Sequence, residues 1–221
     1  MIERINKYLK VSRNVKLKPF DKISIDFLND LSVLLKSSDK AKKFTELQAL
    51  SFWLRKKNLF LKQKQLIKNN QITSIGYIFH VPPSNIEINF IYSYVFGLLS
   101  GNSNLIRISP KKGEITKLLI SMILKILKKN KYKKIRNTTL FLEYERNEEI
   151  SSYVSSFVDG RMIWGGDQTI NYFKLLKTKP RCRDIMFANR YSILILKSDE
   201  ILKLNNKNLN ILCQRFFNDT Y

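Results

Sequence analysis

The chain has 221 residues and a mass of 26.1 kDa, with 44% hydrophobic and 26% charged residues. This composition is typical of a globular protein of one or two domains, and it excludes disorder as a description of the whole chain. The net charge is +22, from 40 Lys and Arg against 18 Asp and Glu, a balance that invites a nucleic-acid interpretation.

The first 70 residues are predicted to be helical. A cap at Asp21 opens an amphipathic pattern over residues 21–36, and a second helical pattern runs over residues 45–64. We expect this segment, residues 1–70, to pack on the sheet of an α/β domain formed by residues 71–221.

From residue 72 onward, short β-rich runs alternate with helical patterns. Four such alternations predict an α/β fold with a parallel sheet and helices on its faces. The predicted strands cover residues 73–81, 104–109, 138–145 and 161–166, and the helices cover 86–99, 114–127, 148–157 and 168–176. Two further short strands are predicted at residues 184–188 and 191–196, followed by a helical stretch to Phe217.

The single dense basic run, residues 128–134, follows the helical pattern at 114–127. Cations suit a negative helix terminus and a solvated loop, so the run favours an ordinary surface role. Lysine accounts for 29 of the basic residues and arginine for 11, whereas bidentate phosphate contacts favour arginine. We therefore expect nucleic acid not to be a partner and keep a basic nucleic-acid module as the alternative.

Ligands bind at the carboxyl ends of parallel strands, so the turn after each strand is a candidate site. After the first strand, Pro82 and Pro83 fix an extended turn that points Ser84 and Asn85 at the start of a helix. From the residues alone, Asn85 is either the helix cap, the favoured interpretation, or an amide donor to a ligand. His80, the single histidine, falls in this turn and is interpreted as structural.

Two further turns are candidates for phosphate contact. After the second strand, Arg107 with Lys111 and Lys112 beside Ser109 either holds a phosphate or forms a solvated basic loop. After the fourth strand, glycines let a backbone approach a phosphate or ring closely, or simply form a tight turn. That turn reads Gly165, Gly166 and Asp167, with Asp167 as a possible cap of the next helix. The complete G-x-G-x-x-G fingerprint is absent.

The cysteines and the apolar stretches indicate the cellular location of the protein. Cys182 and Cys213 have neither metal-ligand spacing nor the pattern of a disulfide framework, so we predict no metal, no disulfide and a reducing, cytoplasmic location. The most apolar stretch, residues 86–99, is shorter than the roughly 20 residues of a membrane helix. We therefore expect no membrane span.

Five stretches, in a fixed order, carry a family resemblance. They are LQALSFWLRKKNL at 47–59, GYIFHVPPSNIEINF at 76–90, GLLSGNSNLIRIS at 97–109, MIWGGDQTI at 162–170, and RYSILIL through FFNDTY at 190–221. Together they resemble the acyl-CoA reductases of the bacterial bioluminescence (LuxC) type, a branch of the aldehyde dehydrogenase superfamily. The resemblance spans nearly the whole chain from about residue 20.

This resemblance implies a Rossmann-like cofactor domain and a definite reaction. A cysteine thiolate attacks an acyl-CoA, CoA leaves, and hydride from NADPH reduces the thioester to a fatty aldehyde. The implied partners are an acyl-CoA or another activated acyl substrate and an acyl-transferring or synthetase protein, with an oligomer for the intact enzyme. The same chemistry supplies aldehydes for bioluminescence, lipid or surface-polymer synthesis.

The resemblance also assigns roles to residues. Asn85 falls at the asparagine whose amide helps hold the oxyanion of the tetrahedral intermediate. Arg107 falls at the cation that binds the adenosine ribose or its 2′-phosphate, and its guanidinium is compatible with NADP(H). Further cofactor contacts are implied at Ser109, Lys111, Gly165, Gly166 and Asp167.

Two departures from the superfamily pattern bear on activity. Residues 186–190 read MFANR where the superfamily has a glutamate base and a glycine pair, which suits a reductase. The stretch that carries the nucleophilic cysteine would begin just after residues 217–221, and neither Cys182 nor Cys213 is expected to replace it. We therefore expect a cofactor-binding half that is inactive alone. The alternative is a non-catalytic nucleotide-binding module.

Overall fold

The structure, a computed structural model, divides the chain into two compact units, Met1–Asn189 and Arg190–Tyr221. The boundary predicted between residues 70 and 71 lies outside the described residues and stays a prediction. The structure describes residues 1–67, 72–83, 85–189 and 193–220.

The first unit is built from helices and a parallel sheet. Its strands are β1 (Tyr77–Val81), β2 (Ser103–Ile108), β3 (Thr139–Glu143), β4 (Gly160–Trp164) and β5 (Arg183–Phe187). Its N-terminal helices are α1 (Ile2–Ser12), α2 (Lys22–Ser37), α3 (Asp39–Lys42), α4 (Thr45–Trp53) and α5 (Lys56–Ile67). The helices between and after the strands are α6 (Asn89–Leu99), α7 (Glu114–Leu127), α8 (Lys133–Asn137), α9 (Glu148–Phe157) and α10 (Asp167–Leu175). The second unit contains α11 (Ser198–Leu202) and α12 (Asn206–Thr220).

The sheet has the strand order β3-β2-β1-β4-β5, and all neighbouring pairs are parallel. After β1, the chain adds β2 and then β3 on one side of it. The chain then crosses to the other side of β1 and adds β4 and then β5. This order confirms the predicted α/β fold with a parallel sheet. It also places the reversal of direction at β1, between β2 and β4, where open α/β sheets bind their ligands.

Alternate side chains of the central strands face two separate apolar clusters. On one face, Ile106 and Ile108 of β2 pack with α2, α4, α6 and α7. On the other, Phe79 and Val81 of β1 and Ile163 of β4 pack with α1, α9 and α10. The N-terminal helices thus contribute to both layers, and strands covered on both faces explain the nearly continuous apolar runs of their sequences.

A buried polar network fixes α6 against β1 and β2. His80 is fully buried inside β1, not in the turn after it. Its Nδ1 lies 2.7 Å from Ser93 Oγ of α6, and its Nε2 lies 2.9 Å from Asn104 Oδ1 of β2. Asn104 Nδ2 donates to the carbonyl of Asn102 at 2.8 Å. The amide oxygen of Asn104 is therefore an acceptor, so His80 carries its proton on Nε2.

Two predicted elements differ from the structure. The helical pattern over 45–64 is interrupted between α4 and α5, at residues 54–55. The strand predicted at 191–196 is wrong for residues 193–196, which belong to no helix or strand, and residues 191–192 lie outside the described part. Ile193 and Ile195 are each 83% exposed, so this apolar run has none of the two-sided cover that a parallel strand requires.

Candidate functional site

A cleft of about 370 Å³ opens at the carboxyl ends of β1, β2 and β4. It lies at the reversal of strand order, because the turns after β1 and β4 diverge there. Five of the seven predicted site residues line it: Asn85, Arg107, Ser109, Gly165 and Gly166.

Asn85 lies in the turn after β1, with its side chain exposed in the cleft. Helix α6 begins at Asn89, and its N-cap residue is Ile88, which offers no capping side chain. The interpretation of Asn85 as the cap of this helix is therefore wrong. Its amide group is left available to a ligand in the cleft.

Glu87, which the sequence analysis did not single out, connects the same turn to α7. The backbone N–H of Thr116 donates to Glu87 Oε2 at 3.0 Å, and Thr116 Oγ1 donates to the Glu87 carbonyl at 3.0 Å. Gly113 allows this approach, since a Cβ at that position would collide with the Glu87 carboxyl group. A carboxylate at a helix N-terminus satisfies free N–H groups and the helix dipole. Glu87 thus occupies the start of α7.

Arg107 enters the cleft from the fifth position of β2. Its guanidinium carbon lies 5.2 Å from the centre of the Tyr144 ring, within range of a cation–π contact. Burial raises the pKa of Tyr144, and the nearby Arg107 charge opposes that shift. The Arg107 Nε is buried and has no hydrogen-bond partner among the described residues. A buried N–H without an acceptor is costly, so this donor is suited to a ligand.

Arg146 was also missed by the sequence analysis. It lies in the turn after β3, lines the cleft, and lines a second cavity of about 340 Å³ together with Arg107 and Thr169. Its Nη2 donates to Thr169 Oγ1 at 3.4 Å. Tyr172 adds an aromatic wall to the second cavity.

The turn after β4 presents backbone to the cleft. Gly165 N–H donates to the Phe187 carbonyl at 3.2 Å, and Gly166 is the N-cap of α10 without any side-chain cap. Asp167 is the first residue of α10, is exposed and does not line the cleft. The prediction that Asp167 caps this helix is wrong, because the cap position falls one residue earlier, at a glycine.

Trp164 is the last residue of β4 and directly precedes these glycines. Its ring stacks on Phe187 with centroids 3.7 Å apart and an interplanar angle of 13°. Its indole Nε1 is buried and unpaired. Arg107 and Trp164 both line the cleft, and each has a buried N–H group without a hydrogen-bond acceptor among the described residues.

The lysines after β2 divide between surface and cleft. Lys111 is exposed and does not line the cleft, although its backbone N–H donates to Ser109 Oγ at 3.2 Å. Lys112 does line the cleft, but its ammonium group is paired with Glu143. Its charge is therefore largely neutralised within the protein.

Cys182, the cysteine of the first unit, does not line the cleft. Cys182 is half-buried, and burial, together with the charge of Asp184, raises the pKa of its thiol. A raised pKa makes a thiol a poorer nucleophile at neutral pH. Cys213, in α12 of the second unit, is exposed.

Two lysines of the basic run at 128–134 form ion pairs with one aspartate. Lys129 and Lys131 pair with Asp30 of α2 at 3.2 and 3.0 Å. Arg136 donates to the Leu127 carbonyl at the end of α7 at 3.0 Å. Arg136 lies two residues beyond the run, so the helix-terminus role predicted for the run itself stays a prediction.

The described residues contain neither a cluster of metal-binding side chains nor a membrane-spanning helix. No group of three or more His, Cys, Asp or Glu side chains is placed to hold a metal ion. Within the same residues, no helix combines the length and apolar character needed to cross a membrane.

The family model described as acyl-CoA reductase (LuxC) matches residues 56–212, which is well over half of the chain. The chain belongs to this family. Membership confirms the resemblance and supports an oxidoreductase function of the aldehyde or acyl reductase type. No curated protein is significantly similar in sequence.

Solved structures of aldehyde dehydrogenase type share the fold of this acyl-CoA reductase family member. Glyceraldehyde-3-phosphate dehydrogenase GapN from Methanocaldococcus jannaschii, in complex with NADP, superposes with a TM-score of 0.63 at 13% identity over 84% of this chain and 45% of its own. Staphylococcus aureus AldH gives 0.53 at 13% identity, over 82% and 45%. Proline utilization A from Bradyrhizobium japonicum gives 0.63 at 12% identity, over 84% and 22%. The chain thus spans less than half the length of each.

Proposed function

We propose that this chain is the cofactor-binding half of an NADPH-dependent acyl-CoA reductase that forms fatty aldehyde from long-chain acyl-CoA. The observation that carries the proposal is the convergence of Asn85, Arg107 and the Gly165–Gly166 turn on one cleft at the reversal of strand order. Family membership supports the reaction type, and the NADP bound to the GapN structure supports a nicotinamide cofactor.

The residues of the cleft fit a phosphorylated dinucleotide. The N-terminus of α10 has no side-chain cap at Gly166, so its free N–H groups and helix dipole suit a pyrophosphate. The unpaired Nε of Arg107 suits a ribose 2′-phosphate, and the unpaired Nε1 of Trp164 suits a carbonyl or phosphate oxygen. Ser109 lines the same cleft and is a further proposed cofactor contact. Lys111 and Asp167 do not line the cleft, so the contacts proposed for them require the cofactor to extend beyond it.

The bound cofactor would supply the hydride that reduces the acyl group. The role of this chain is to orient the cofactor and to stabilise the negative charge that develops on the substrate. The Asn85 amide donates a hydrogen bond to the oxyanion that forms at the acyl carbon. The nucleophilic thiolate is proposed to come from outside these 221 residues, as the family resemblance implies. Cys182 is a poor substitute, because it does not line the cleft and burial raises the pKa of its thiol. The intact enzyme is proposed to be an oligomer that receives its acyl group from an acyl-transferring or synthetase partner.

The test combines binding with turnover. Isothermal titration calorimetry with NADPH should show saturable binding, and incubation with a long-chain acyl-CoA and NADPH should yield no aldehyde. Robust turnover would show that the nucleophile lies within this chain. Absence of NADPH binding would overturn the proposed cofactor role itself.

A further inference from the structure

The cleft and the second cavity share a wall formed by Arg107, Arg146 and Thr169. The two arginines reach it from different strand ends, Arg107 from β2 and Arg146 from the turn after β3. Arg146 is exposed. Its Nη2 donates a hydrogen bond to the Thr169 hydroxyl at 3.4 Å, which is a long contact. A stronger acceptor would readily replace that hydroxyl.

Both guanidinium groups retain their charge unopposed. Among the described residues, neither Arg107 nor Arg146 forms an ion pair, whereas Lys112 in the same cleft is paired with Glu143. Glu148 lines the second cavity but pairs with neither arginine. The wall therefore presents two positive charges to a ligand.

The N-termini of two nearby helices, α7 and α9, are already occupied by protein side chains. Glu87 holds the N-terminus of α7 through the Thr116 N–H. The Asn147 side chain caps α9 by accepting from the Ile150 N–H at 2.8 Å. An anion placed at the shared wall is therefore recognised by guanidinium groups and not by these helix ends.

We propose that Arg146 is a specificity-determining residue that acts with Arg107 to clamp the phosphomonoester of a 2′-phosphorylated nucleotide. This inference rests on the proposed function and extends it to the choice between phosphorylated and unphosphorylated cofactor. A phosphomonoester dianion can accept charge-assisted hydrogen bonds from two guanidinium forks at once. An unphosphorylated ribose offers only neutral hydroxyl groups, so it gains little from the second arginine.

The experiment compares adenosine 2′,5′-bisphosphate with 5′-AMP, which differ only in the 2′-phosphate, by calorimetry at 0.15 M salt to screen the net charge of the chain. The full chain should bind the bisphosphate at least about tenfold more tightly. Arg146→Gln should weaken bisphosphate binding about tenfold and AMP binding less than about twofold. Arg146→Lys, which keeps the charge but loses the fork, should fall between the two.

Arg183→Gln is the matched control, because Arg183 is an exposed arginine at the first residue of β5 and lines neither cavity at the shared wall. It should leave the ratio of the two affinities unchanged. Equal weakening of both ligands by Arg146→Gln, or no weakening, would overturn this inference and leave the proposed function intact. Failure of the unmodified chain to bind either nucleotide would overturn both.

Discussion

Arg161 and Asp184 are joined side by side across β4 and β5. Arg161 Nε and Nη2 donate to the two carboxylate oxygens of Asp184 at 2.7 and 2.5 Å, and Arg161 Nη1 donates to the Phe173 carbonyl at 2.8 Å. The arginine side chain is 2% exposed. One buried guanidinium therefore connects β5, β4 and α10, the elements that carry the glycine turn of the cleft.

Removal of the carboxylate should destabilise the first unit strongly. Asp184→Ala leaves a buried guanidinium without its counter-charge, at a cost of about 3 kcal/mol, near the low end for buried pairs because Asp184 is 27% exposed. Urea unfolding measures the change. The control is Asp39→Ala, which removes the exposed pair of Asp39 with Lys42 and should leave the free energy of unfolding nearly unchanged. Equal losses in the two variants would contradict the role given to Arg161.

The buried histidine makes stability depend on pH. Burial lowers the pKa of His80 to about 4 from 6.5, although its hydrogen bond to Asn104 opposes the shift. Between these values the unfolded chain binds the proton and the folded chain does not, so stability falls as pH falls. The loss from this group between pH 7 and pH 5 should be about 2 kcal/mol.

His80 is the single histidine in the chain, which makes the assignment direct. In His80→Gln the free energy of unfolding is expected to be lower at pH 7 and nearly flat between pH 7 and pH 5. Urea unfolding at several pH values measures both slopes. A slope of the same size in the variant would show that other groups produce it.

Two glycines should respond differently to alanine. In Gly97→Ala the new Cβ would collide with the Asn104 side chain and approach His80 Nε2 to 2.9 Å, so the buried network must move, at a cost of about 1–3 kcal/mol. In Gly166→Ala the nearest atom to the Cβ is Asn189 Oδ1 at 3.5 Å, an ordinary contact. Gly166→Ala should therefore keep its thermal stability and bind NADPH more weakly. Unchanged NADPH affinity would contradict close approach of the cofactor at this turn.

The elements with strong periodicity were predictable from the sequence. Helix α7 matches its predicted bounds, residues 114–127, because one amphipathic face dictates where it packs. Helix α6 begins three residues later than predicted, at Asn89, since Glu87 is drawn into contact with α7. The strand predicted at 191–196 was wrong for its described residues, 193–196, because an apolar run alone does not specify a strand partner.

The candidate site was predictable only where residues immediately follow strands. Asn85 and Gly166 lie in the turns after β1 and β4, and Arg107 is the fifth residue of β2, so the parallel topology brings them together. Glu87 and Arg146 depend on tertiary contacts between turns that are distant in sequence, to Thr116 and Thr169. No periodicity or spacing signals such contacts.

The most direct test of cofactor binding in the cleft uses Trp164. The chain has two tryptophans, and Trp53 lies in α4 against Tyr92 and Phe96, so Trp53→Phe leaves Trp164 as the only tryptophan. Titration with NADPH should quench Trp164 emission saturably with transfer to the reduced nicotinamide, and Arg107→Gln should raise the Kd about tenfold or more. Emission that does not saturate, or a Kd unaffected by Arg107→Gln, would contradict the account.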